Sequence, residues 1–72
     1  MPETSALHTM IRSARLSAGL SQAQMAAQMR LSQGYISQLE AGSRTPSLRV
    51  LRLAAQATGV KLSQLIDEPG AV

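Results

Sequence analysis

Two short segments, Ser21 to Met29 and Ser32 to Ala41, lie only a few residues apart, and that spacing limits the chain more than anything else in it. Each reads as a helix of about two turns. Ser21 is a good N-cap, and Gln24 three residues on completes a capping box. Met25, Ala26 and Met29 then fall on one face. Ser32 caps the next segment, which turns Ile36 and Leu39 inward and closes at Ala41-Gly42. Helices this short do not persist alone, so packing against each other and the rest of the chain must hold them.

A link this short does not let the two helices lie antiparallel. They are expected to cross steeply, as a helix-turn-helix unit, with small Ala26 and Ala27 allowing close approach. The other segments are also helical. Leu7, Met10, Ile11 and Ala14 make one face of a helix from about Ser5 to Ala18, and Gly19 follows its end. Ser43 to Pro46 reads as a loop, Leu48 to Thr58 as a helix ended by Gly59, and Leu62 to Ile66 as a final short turn. Residues 67 to 72 hold little to bury and read as a tail. The expectation is one all-α domain over 1–72, with five helices and an ordered core of about 5–66.

Composition narrows the chemistry. There is no Cys, and His8 is the only His, so neither a disulfide nor a structural zinc site is expected. A domain of 72 residues buries only about 60% of the surface its unfolded chain exposes, which leaves a partner subunit as the route to extra stability. No paired carboxylates or nucleophile–base set can be assembled in the body, so no enzyme and no cofactor are expected. Tyr35 is the one aromatic, too few for a single-strand stacking platform. Glu3, Asp67 and Glu68 sit at the ends. Between them lie all seven basic residues against the single acid Glu40, a net +6 in the body. That balance fits a polyanionic partner, and equally a merely basic surface. No apolar run is long enough to span a membrane and no secretory signal is visible, so a cytoplasmic location is expected.

The stretch from Arg15 through Gly19-Leu20-Ser21 to Ala26 resembles the Cro and phage-repressor helix-turn-helix family, as does Tyr35-Ile36-Ser37-Gln38-Leu39-Glu40 through Pro46. That family includes xenobiotic-response-element type regulators and restriction–modification controller proteins. The likeness continues through Leu51, Ala54, Ala55, Gly59-Val60 and Leu65. It implies a five-helix domain of the lambda-repressor type that binds duplex DNA, usually as a homodimer. The third helix of such a domain enters the major groove.

Carried over position by position, the resemblance implies base contacts from Gln33, Ser37, Gln38 and Arg44. A Gln amide suits adenine, donating to N7 and accepting from N6. It implies backbone contacts from Gln22, Ser32, Tyr35 and Ser43, with Arg12 a further phosphate candidate. For Ser32 capping comes first. Tyr35 has a second placement, packed on the ends of the preceding helix with its hydroxyl in water, and Arg44 has one as a solvated loop residue. Arg15 and Glu40 match a structural ion pair tying the first helix to the third. Gly34 stands where other members have a base-reading side chain, so either one direct contact is lost there or the backbone approaches closely instead. Arg30 stands where many have Gly; a left-handed residue there would cost about 1–2 kcal/mol without glycine, so either the turn differs slightly or Arg30 gains something in return, such as nearby phosphates. Thr58 stands where Leu is common. Leu53, Leu62 and Ile66 form a possible homodimer interface, with core packing an equal alternative for the last two.

Two functions follow as expectations. One is a sequence-specific transcription regulator, a repressor acting as a homodimer on a palindromic operator. The other is a protein-interaction module on the same fold, of the antitoxin or bridging-factor kind.

Overall fold

The computed structural model describes residues 4–65, with burial described from residue 7 to residue 65. Among them are five helices and no strand: α1 (Thr4–Ser17), α2 (Gln22–Met29), α3 (Gln33–Ala41), α4 (Leu48–Thr58) and α5 (Leu62–Leu65). Local chemistry sets most of these bounds. The Ser21 hydroxyl accepts from the Gln24 N–H while Gln24 Oε1 accepts from the Ser21 N–H, so the capping box is complete. Ser32 and Ser47 cap α3 and α4 by accepting from the Tyr35 and Val50 N–H groups. Each such cap contributes about 1 kcal/mol.

The helix ends are as regular. After α2, the Leu31 N–H reaches the Ala26 carbonyl and the Arg30 N–H reaches Ala27. After α3, Ser43 reaches Gln38 and Gly42 reaches Leu39. Both are Schellman closures around a left-handed residue. At Gly42 (φ 81°) glycine meets that demand without strain. At the end of α2 the left-handed residue is Arg30, at φ 59° and ψ 41°. The turn therefore keeps the geometry that glycine suits, and a side chain carries it with the strain that entails.

The core lies where α1, α2, α3 and α4 converge. Ile11, Met25, Met29, Ile36 and Leu39 are fully buried, with Ala26, Leu51, Ala54 and Leu65 packed around them. The helix α3 packs on α2 and α1, and α5 closes the bottom against α4 and α1. Ala26 is buried in the α2 face, as its small size suits. Ala27 is exposed, so it contributes its carbonyl to the turn and not its methyl group to the helix contact. Thr58 turns its hydroxyl back to the Ala54 carbonyl at 2.8 Å and so satisfies itself within α4. Leu53 and Leu62 are half-buried against the core edge, while Ile66 lies outside the described residues.

Candidate nucleic-acid interface

One face of α3 is built by exclusion. Ile36 and Leu39, each 0% exposed, hold the helix to the core. On the other side Gln33, Gly34, Ser37 and Gln38 are exposed, and none of them is apolar or charged. The residues that follow, Ser43 and Arg44, are exposed in the loop leading to α4. This places a row of amide, hydroxyl and guanidinium groups along one end of the molecule. A Cβ at Gly34 would find only the Ser32 hydroxyl, 4.0 Å away, so packing does not demand glycine there.

An ion pair fixes α3 from behind. Arg15 Nε donates to Glu40 Oε2 at 2.6 Å and Nη2 donates to Oε1 at 3.0 Å, a two-pronged geometry. Arg15 Nη1 donates to the Leu20 carbonyl at 2.9 Å, so the same guanidinium also holds the α1–α2 link. Both residues are 8% exposed. Burial alone would push the Glu40 carboxyl up, but hydrogen bonds from Arg15 and Gln22 and the charges of Arg15 and Arg12 outweigh it and hold the carboxyl below its ordinary value. The Glu40 hydrogen bond raises the Arg15 guanidinium further.

Gln22 is the member of this network that the sequence does not announce. Its Nε2 donates to Glu40 Oε1 at 3.2 Å, and the residue is half-buried. One amide N–H of Gln22 is thus engaged inside the protein. What Gln22 can offer an anion is its other amide N–H and its place in the first turn of α2, where backbone N–H groups lack intrahelical partners.

A second cluster joins α3 to its following loop. Arg44 Nε donates to Gln38 Oε1 at 2.8 Å, and the Arg44 guanidinium carbon lies 4.9 Å from the Tyr35 ring centroid. Tyr35 is half-buried against the core edge, and its outer surface carries this cation. Ser43 Oγ donates to the Gln38 carbonyl at 3.3 Å. The sequence-predicted residues Tyr35, Gln38, Ser43 and Arg44 therefore share one contiguous patch. Gln33 and Ser37 lie on the same exposed side of α3, Ser32 is engaged as its cap, and Arg12 is exposed on α1. His8, on α1, adds a contact that sequence spacing could not reveal: a Cβ on Gly42 would stand 2.8 Å from His8 Nδ1.

A family model described as helix-turn-helix matches residues 11–65, from within α1 to the end of α5. The chain belongs to the Cro and phage-repressor helix-turn-helix family. That family is one of DNA-binding transcription regulators, and not of enzymes. Two solved structures share the fold. The clp gene regulator ClgR from C. glutamicum is 28% identical, with a TM-score of 0.84 over 93% of this chain and 87% of its own. The restriction–modification controller protein C.AhdI from Aeromonas hydrophila is 27% identical, with a TM-score of 0.82 over 88% of this chain and 91% of its own. No curated protein matches the sequence significantly. Arg30 holds the left-handed turn after α2 with a side chain rather than a glycine. Among the described residues no helix is long and apolar enough to cross a membrane.

Proposed function

We propose that the chain is a sequence-specific repressor that binds an inverted-repeat operator as a homodimer in the cytoplasm. The observation that carries this reading is the outer side of α3. A solvent-facing helix side usually mixes charges, yet Gln33, Ser37 and Gln38 offer only neutral hydrogen-bonding groups, the kind that read base edges. The backbone contacts fall to Gln22, Ser32, Tyr35, Ser43 and Arg12, and the base contacts to Gln33, Ser37, Gln38 and Arg44. The net +6 of the chain body supplies the long-range attraction. Leu53 and Leu62, left half-covered at the α4–α5 edge, together with Ile66, supply the apolar contact between copies. Two-fold pairing would set α3 and its mate in successive major grooves, about 34 Å apart.

The experiment is selection of bound duplexes from a randomised library, followed by titration of the enriched site at several salt concentrations. The expected result is an inverted repeat whose affinity falls steeply with salt. Retention of a partner protein by the α3 face, with no duplex enriched, would instead establish a protein-interaction module.

A further inference from the structure

Gln38 and Arg44 are joined in a way that decides what the pair can read. Arg44 Nε donates to Gln38 Oε1 at 2.8 Å. Arginine has donors only, so the Gln38 atom facing it must be the carbonyl oxygen. That bond takes one of the two Oε1 lone pairs and leaves the NH2 with both of its donors. The arrangement is braced from several sides. The Ser43 N–H donates to the Gln38 backbone carbonyl at 3.0 Å, and the Ser43 hydroxyl donates to it at 3.3 Å. The Arg44 guanidinium rests on the ring of Tyr35, whose own position is set by packing on the core edge.

A free Gln in the major groove is two-faced. It donates to adenine N7 and accepts from adenine N6, which is why Gln pairs so well with that base. With the Arg44 cation seated on Oε1, one lone pair is taken, and the donors of the pair, the Gln38 NH2 and the remaining Arg44 N–H groups, outnumber the one lone pair that is left. Guanine presents two acceptors, N7 and O6. Adenine N6 and cytosine N4 are donors, and thymine offers the single acceptor O4 beside a methyl group. We propose that Arg44 is a specificity-determining positioning residue, which makes Gln38 a mainly donating reader so that the base beneath it is guanine rather than adenine. This rests on the duplex-binding reading above.

The test compares duplexes selected from a randomised library by the unaltered protein and by Gln38→Ala, Arg44→Ala and Arg49→Ala. The base pair whose preference vanishes in Gln38→Ala is the one Gln38 reads. There the unaltered protein should favour guanine over adenine by at least about fivefold, the lower end of what one bidentate contact discriminates. Arg44→Ala frees Oε1 and should reverse the preference to adenine. Arg49→Ala removes an equal charge from the exposed start of α4 and should keep guanine. Any base other than guanine at that position overturns the proposal, as does guanine persisting in Arg44→Ala. So does a Gln38→Ala selection identical to the unaltered one, and that result leaves duplex binding itself standing. If the unaltered protein enriches no sequence, the duplex-binding reading fails and the proposal fails with it.

Discussion

Truncating Glu40 to Ala should be among the most damaging single changes in this domain. The carboxylate accepts two bonds from Arg15 and one from Gln22, and its side chain is only 4% exposed. Removal leaves the Arg15 guanidinium buried with one remaining bond, to the Leu20 carbonyl. An uncompensated buried charge of this kind costs about 3–5 kcal/mol. A domain of 72 residues has a total stability of about 4–11 kcal/mol, so much of it would be lost. At about 4–8 °C per kcal/mol, the melting temperature should fall by 12 °C or more. Thermal and urea unfolding followed by helical circular dichroism at pH 7 measure this directly. Replacing both partners, as Arg15→Met with Glu40→Leu, removes the orphaned charge together with the pair. The double variant should therefore be much more stable than Glu40→Ala.

The acid dependence follows from the same bonds. The native Glu40 carboxyl is held below its ordinary value, so its contribution is complete above the unfolded carboxylate range, about pH 4.3. It is lost as pH falls from there through the native value. Glu40→Gln should be less stable at pH 7 and should lose less on acidification. If Glu40→Ala melts within about 2 °C of the unaltered protein, or if the double variant is no better than the single one, the reasoning about a buried network is wrong.

Three further outcomes are expected. Arg30→Gly relieves the left-handed backbone at φ 59° and should stabilise the domain by up to about 1 kcal/mol, a rise of a few degrees in melting temperature; a lower melting temperature would mean that the Arg30 side chain contributes more than the strain removes. Gly42→Ala combines positive φ with a Cβ 2.8 Å from His8 Nδ1, so it should cost more than the 1–2 kcal/mol, roughly, of a left-handed alanine, and His8→Ala in the same chain should recover only the excess; urea midpoints for the three variants separate the two parts. Gln33→Ala should cost about 1–3 kcal/mol of duplex affinity and relax preference at one base pair, with unfolding unchanged. Equal affinity and selectivity in that variant would remove Gln33 from the reading surface.

The parts of this protein that were legible in its sequence are those whose causes are local. Ser21 and Ser32 cap helices through their own hydroxyls, and Gly19, Gly42 and Gly59 end them by accepting a positive φ. The spacing of Ile36 and Leu39 marks the inner side of α3, and by subtraction the outer one. Such features need only neighbours within a turn or two, so residue order contains them. The pairing of Arg15 with Glu40 spans 25 positions, and residue order alone does not specify it; family resemblance pointed to it in advance.

Tertiary structure alone decided where the flexible polar side chains go. Gln22 could have faced solvent, but the crossing of α2 and α3 brings it to Glu40. Arg44 could have extended from its loop, but the closure after α3 folds it onto Gln38 and Tyr35. Long side chains have many rotamers of similar energy, and a partner brought near by the fold selects among them. Residue order sets the helices and their ends; packing chooses which hydrogen-bonding groups remain available on the surface they form.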